Sequence, residues 1–250
     1  MIIDAHMHLT VESDGMENKK AALLRSMEAD GADKGIIIAD STLESTIGSN
    51  EQCIELFEDD DRIRVVAGIS PFIEYESRLA LLDGWLRDKK AVGVKIFCGH
   101  EPVHIDSPSL EPVYAMAAEY GVPVLFHSGW DNPQYAAPEY VLGAAAAHPD
   151  VTLICCHCFY PEIEYCFDTL KSTPNVMFDV SSLADSPEYL DGFRPVLEDY
   201  INMMPERFIF GSDYNCCSRR AHIDFFASLR IGSRARDMFF CGSAGRVYGI

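Results

Sequence analysis

Basic residues are scarce in this chain. Twenty Lys and Arg stand against 39 Asp and Glu in 250 residues, a formal net charge of −19. Nucleic acid and anionic membrane both attract proteins through positive surface, so neither is an expected partner. Long hydrophobic runs are missing as well. None approaches the ~20 residues that cross a bilayer. No targeting segment is visible, and a cytoplasmic location is the expectation. The nine cysteines are odd in number and irregular in spacing, which argues against a disulfide framework and for a reducing compartment. Neither GxGxxG nor GxxxxGK followed by Ser or Thr occurs, so the phosphate turn of a doubly wound nucleotide-binding sheet is absent. Linkers and low-complexity segments are absent too. One domain over residues 1–250 is expected.

What is present is a repeat of short β-branched runs. In order they are IIDAHMH from Ile2, KGIIIA from Lys34, IRVVAGI from Ile63, VGVKIF from Val92, VPVLFH from Val122, VTLICCH from Val151, NVMFDVS from Asn175 and RFIFGSD from Arg207. Their starts lie 24 to 32 residues apart, the length of a βα unit. Each reads as a near-continuous apolar run, as parallel strands buried on both faces do. Helical periodicity fills several of the gaps, as in ENKKAALLRSMEAD and EYESRLALLDGWLRDK. SLEPVYAMAAEYG carries a Ser cap, an early Pro and a terminal Gly121. PEYVLGAAAAHP and SPEYLDGFRPVLEDYI fit less cleanly, because Gly143 and Pro195 interrupt them. Eight strands alternating with helices predict an α/β fold, a (β/α)8 TIM barrel.

In such a barrel the active site lies at the C-terminal strand ends. The first run ends in His6 and His8, the fifth in His127, the sixth in His157 and the eighth in Asp213. Lys95 lies in the fourth. His and Asp are ordinary ligands of Zn²⁺ and its neighbours. Any one of these histidines is explained as a hydrogen-bonded core residue. All of them at one end of one barrel are explained better by a metal. Asp4 alternates with His6 and His8 and is expected two residues deeper, as a core carboxylate that needs a hydrogen-bond partner.

This set resembles the amidohydrolase superfamily: HxH on the first strand, His after the fifth, His after the sixth and Asp after the eighth. The wording of IIDAHMHL, GVKIF, VPVLFHSG, FGSDY and the closing SAGRVYGI is similar to its amidohydrolase-2 branch, the relatives of 2-amino-3-carboxymuconate-6-semialdehyde decarboxylase. The resemblance runs from Ile2 to Ile250. It implies a (β/α)8 fold and a divalent metal, usually one Zn²⁺, with Mn or Fe as alternatives. Carried over, His6, His8 and His127 hold the metal. Asp213 is a further ligand and the proton-transfer group, and His157 is a weaker ligand or touches substrate. Two departures stand out. Ser243-Ala244 replaces the usual Asn-Ala, and the chain is short for the branch, without capping insertions.

A metal with an open position activates water and polarises carbonyls. The first expectation is therefore a hydrolase of a C–N or C–O bond in a small molecule, with Asp213 as acid and base. The alternative is a non-oxidative decarboxylase of a small carboxylate. A non-catalytic ligand-binding barrel is third. In binuclear relatives a carboxylated lysine ending the fourth strand bridges two metals. Lys95 lies in mid-run instead, which favours one metal with Lys95 near the substrate. His100, His104, Trp130 and Arg219 are further pocket candidates. Cys155 shares strand parity with His157 and is a weaker ligand candidate, and Cys216 and Cys217 follow Asp213 in the last loop. A homo-oligomer is compatible with all of this.

Overall fold

The computed structural model describes residues 1–11, 14–130, 132–183 and 187–250, and gives the backbone alone for 187–189. Eight parallel strands follow chain order: β1 (Ile3–Met7), β2 (Lys34–Ile38), β3 (Ile63–Ile69), β4 (Val94–Ile96), β5 (Val124–His127), β6 (Leu153–Cys156), β7 (Val176–Asp179) and β8 (Phe208–Ile209). The sheet closes through backbone hydrogen bonds from Ala5 N–H to Phe210 O at 3.0 Å, Asp213 N–H to His6 O at 2.8 Å and His8 N–H to Tyr214 O at 2.9 Å. The expected eight-stranded barrel is therefore the fold. The segment that follows β8 is thereby joined to β1 at the level where His6, His8 and Asp213 emerge.

The outer layer comprises α1 (Met16–Asp30), α2 (Asn50–Phe57), α3 (Tyr75–Arg87), α4 (Glu111–Tyr120), α5 (Pro138–Ala147), α6 (Ile163–Leu170), α7 (Pro187–Met203), α8 (Arg219–Ala227) and α9 (Ser233–Asp237). α10 (Ser243–Tyr248) ends the chain. α2 and α6 have eight residues each. Two turns are too few to show a repeating apolar stripe, so periodicity does not single them out. α2 is instead announced by its cap. Gln52 N–H donates to Ser49 Oγ at 3.3 Å and Ser49 N–H donates to Gln52 Oε1 at 3.0 Å, a capping box. α5 and α7 continue through Gly143 and Pro195. Val141 and Ala144 of α5, and Leu190, Leu197 and Ile201 of α7, are buried on both sides of those residues. Packing of an apolar face outweighs local propensity there.

The barrel interior is an aliphatic core in which Ala5, Ile36, Ile38, Val66, Leu125, Ile154 and Ile209 meet. Ala244 and Tyr248 of α10 join the same cluster and seal the N-terminal end of the strands. Ser243, at the departure from the usual Asn, is fully buried and donates from Oγ to Pro205 O at 3.2 Å. Among the described residues no helix is long and apolar enough to cross a membrane.

β1 carries the one irregularity that matters for the site. Asp4 pairs with Gly35 and Met7 with Ile37, so three steps on β1 oppose two on β2. This bulge breaks the alternation expected for DAHMH. Asp4 therefore sides with Met7, and the two share one partner, Arg219.

Candidate functional site

The inward positions of adjacent strands form layers. Lys95 pairs with Gly68 and Leu125, while His127, Cys156 and Asp179 pair across β5, β6 and β7 one step nearer the C-terminal end. Above them the backbone leaves the β region. His157, Cys158 and Phe159 have φ of 63°, 51° and 57°, Ser182 has 64° and Asp213 has 61°. Non-glycine residues seldom adopt this left-handed form, and clusters of it mark sites where geometry overrides backbone preference. Here it turns His157 and Asp213 over the barrel mouth. Gly211 makes room below them: a Cβ there would lie 2.5 Å from Asp179 Oδ1 and 2.8 Å from His6 Cβ.

The histidines are fixed through one ring nitrogen each. His6 Nδ1–H donates to Asp179 Oδ2 at 2.5 Å. His8 Nδ1–H donates to Ile38 O at 2.9 Å. His157 Nδ1 lies 3.2 Å from Ser181 O and 3.0 Å from Ser181 Oγ. An Nδ1 held by an acceptor leaves Nε2 as a bare lone pair, the tautomer that binds metal. His6 Nε2 and His8 Nε2 lie 3.8 and 3.3 Å from Asp213 Oδ1. Two ligands at ~2.1 Å from a tetrahedral ion would be about 3.4 Å apart. Asp213 Oδ1 and His127 Nε2 are buried and make no hydrogen bond of good geometry among the described residues. The donor atoms of His6, His8 and Asp213 lie within 4.8 Å of one another. Two imidazoles, a carboxylate and orphaned buried acceptors fit a divalent cation.

The electrostatics agree. Burial holds the His127 imidazole far below its ordinary value, and holds that of His157 down at about 3, so both are neutral at physiological pH. Burial pushes the Asp213 carboxyl up, but the hydrogen bond from His8 and the neighbouring His6 outweigh it and keep it well below the usual carboxylate range. Burial likewise pushes the Asp179 carboxyl up, but His6 and its hydrogen bond outweigh it and hold it low. Ser182 Oγ donates to Asp213 Oδ2 and orients it.

A cavity of about 460 Å³ opens above these groups. His6, His8, Lys95, His127, His157 and Asp213 all line it, as do His100 and Trp130. The His100 ring lies 4.2 Å from that of His127, and the Trp130 ring 5.7 Å from that of His157. Two pocket candidates lie elsewhere. His104 packs between Tyr135 and Tyr140 at 4.8 and 4.7 Å and lines a separate surface cavity. The loop after β4 folds outward beyond Glu101 and carries His104 away. Arg219 is 1% exposed, and its Nε donates to Asp4 Oδ2 at 2.7 Å. Its Nη1 donates to Ser26 Oγ at 2.7 Å, and Tyr214 stacks on it at 4.3 Å. It neutralises the buried carboxylate that the β1 bulge turned away from His6, so it is not available to a substrate. Cys155 faces the helices, 3.1 Å from Ser128 Oγ and 3.8 Å from Cys166 Sγ. The left-handed turn at His157 ends strand parity, and Cys156 holds the axial position instead.

Asp179, Ser181, Ser182, Asp40 and Glu101 also belong to the site and were not singled out from sequence. Asp179 carried a readable signal: an acid inside NVMFDVS, a strand buried on both faces, requires a partner. The two serines form a shelf whose role follows only from the turn after β7.

The family model described as Amidohydrolase (Amidohydro_2) matches residues 3–250. No curated protein matches the chain in sequence. Solved structures match in fold. An uncharacterized TIM-barrel protein from Bordetella bronchiseptica is 20% identical, with TM-score 0.82 over 99% of this chain and 98% of that one. 5-Carboxyvanillate decarboxylase from Sphingomonas paucimobilis is 12% identical, with TM-score 0.68 over 100% and 99%. A dihydroxybenzoic acid decarboxylase from Polaromonas, solved with bound manganese and 2-nitroresorcinol, is 14% identical, with TM-score 0.67 over 99% and 96%. With the family model spanning all but the first two residues and the HxH, His, His and Asp positions converging on one barrel mouth, the chain belongs to the amidohydrolase-2 family of the amidohydrolases.

Proposed function

We propose that this protein is a metal-dependent, non-oxidative decarboxylase of a small carboxylic acid. The observation that carries the reading is the buried His6–His8–Asp213 cluster at the floor of the cavity in the barrel mouth. Its support comes from the decarboxylases that share the fold along essentially their whole length. The hydrolase expected first from the sequence takes second place, because the neighbours named for a specific substrate are decarboxylases.

His6, His8 and Asp213 would hold one divalent cation, with His127 Nε2 as the next available donor. Mn²⁺ stands beside Zn²⁺ as a candidate, since a bound neighbour carries manganese. Such a cation supplies Lewis acidity, which stabilises negative charge developing on a substrate oxygen. The remaining work belongs to the chain. Replacing a carboxylate by hydrogen consumes one proton at carbon and releases CO₂. Asp213 would relay that proton: its carboxylate stands at the cavity floor beside His6 and His8, takes a proton from solvent water and hands it to the substrate carbon as CO₂ leaves. Ser182 holds its second oxygen and fixes the direction of delivery. His157, neutral and pinned by Ser181, contributes a fixed acceptor beside the substrate. Phe97 and Trp130 supply apolar walls that admit a flat ring and exclude water.

The test is product analysis. Manganese-loaded protein is incubated with hydroxylated benzoates and, separately, with lactones and amides. One CO₂ per acid consumed is the expected result. Release of alcohol or amine without CO₂ would overturn the decarboxylase and restore the hydrolase.

A further inference from the structure

Lys95 is 1% exposed on β4 and lines the cavity. Its Nζ makes no hydrogen bond of good geometry among the described residues, the Cys156 thiol being a weak partner within reach. The face of Phe97 lies beside it, 5.6 Å from Nζ to the ring centroid, and the thiol of Cys156 is one that burial pushes far up and so keeps neutral. A lysine this deep is ordinarily paired, because an uncompensated buried ammonium is costly. No ion pair joins it to an acid of the site among the described residues: Asp179 is committed to His6, Asp213 lies with His6 and His8, and neither Asp40 nor Glu101, which also line the cavity, pairs with its Nζ. Among the described residues that line the cavity, Lys95 is the only Lys or Arg. Arg219, the other cation near the mouth in sequence, is spent on Asp4.

We propose that Lys95 is the specificity-determining cation of this site, whose missing partner is the carboxylate of the substrate. The inference deepens the decarboxylase reading and rests on it. It assigns the choice of an acid over a neutral analogue to one side chain. Its position one layer below His127 sets an anion's oxygens beside the neutral imidazoles of His127 and His157, and leaves the ring to Phe97 and Trp130. Lys95 takes no part in the bond changes. It positions the acid and desolvates poorly without it.

The experiment measures binding of benzoate and of its neutral isostere benzamide by calorimetry, on the manganese-loaded protein and again after chelation. Lys95→Met is expected to weaken benzoate by about 10-fold or more in both states, the loss typical of a hydrogen bond to a charged group. Benzamide should change by less than about 2-fold. Lys95→Arg should keep most of the benzoate affinity, and Lys95→Met should melt at or above the wild-type temperature, since it removes a buried unpaired charge. Unchanged benzoate affinity in Lys95→Met, or no benzoate binding by the wild type, would overturn the proposal. So would a Lys95→Met variant that melts well below wild type together with a Lys95→Arg variant that binds no benzoate, because that pattern describes a structural lysine. The two readings fail separately. Absence of CO₂ release with Lys95-dependent benzoate binding removes the decarboxylase alone. CO₂ release with benzoate affinity indifferent to Lys95 removes this inference alone.

Discussion

Asp179 shows how much one undisguised residue decides. Its carboxylate accepts hydrogen bonds from His6 Nδ1–H at 2.5 Å and from the backbone N–H of Ser181 at 2.9 Å. It therefore fixes both the ring of His6 and the serine shelf under His157. Partners of this kind hold the metal-binding tautomer and raise ligand basicity. Asp179→Asn should retain the fold and lose about 10- to 100-fold in metal affinity, measured by competition with a chromophoric chelator. Unchanged affinity would show that His6 is oriented by packing alone. The residues legible in the sequence were those that end a strand run, where a polar group after apolar ones is conspicuous. His127, His157 and Asp213 announce themselves this way. Asp179 sits inside its run, where an acid calls for a partner, but that partner is 173 residues away and nothing local identifies it. Arg219 misled for the opposite reason. Its place after the last strand suggested the mouth, but direction from a helix terminus is set by what demands the charge, and Asp4 does.

At the scale of elements, the barrel was legible because eight runs recur at βα spacing, whereas the bulge in β1 was not. Alternation in DAHMH puts Asp4 beside His6 and His8, and only pairing with β2 reveals the extra step. That step creates the buried Asp4–Arg219 pair, which ties β1 to the first turn of α8 and, through Ser26, to α1. Asp4→Ala leaves Arg219 buried without its carboxylate and should cost about 3–5 kcal/mol in urea unfolding. A loss under about 1 kcal/mol would mean that Asp30, 3.4 Å from Arg219 Nη1, takes over. A second tie joins α2 to α3, where Arg78 is forked onto Glu51 with the longer contact at 3.3 Å. Burial pushes the Glu51 carboxyl up, but Arg78 outweighs it and holds it low. A carboxyl depressed on folding stabilises above its unfolded value and loses that contribution as pH falls through the folded one. Glu51 is partly exposed, so the effect is screened to below about 1 kcal/mol. Wild type should exceed Glu51→Gln in stability at pH 7, and the gap should close as pH falls from 6 to below 4. A gap that stays constant with pH would assign it to packing rather than charge.

For the whole molecule the sites and the charge act together. A chain with net charge −19 repels itself, and its cavity concentrates acids: Asp40, Glu101 and Asp213 line it and Asp179 lies beneath. A divalent cation that binds the folded state relieves that repulsion and adds linkage, about 2.7 kcal/mol at a hundredfold excess over its dissociation constant. For a chain of this size that corresponds to a rise of roughly 5–10 °C in melting temperature. Screening alone would also raise it, but any divalent ion would then serve. A site of two imidazoles and a carboxylate prefers Mn²⁺ to Mg²⁺ at equal concentration. Zn²⁺ is the poorer probe, because nine cysteines in the unfolded chain compete for it and subtract from the shift. Micromolar Mn²⁺ should therefore raise the melting temperature saturably, equal Mg²⁺ should not, and His6→Ala/His8→Ala should lose the response while keeping the gradual rise with NaCl. Equal shifts from both ions, surviving in the double variant, would mean that the acidic surface binds the metal and the barrel mouth does not.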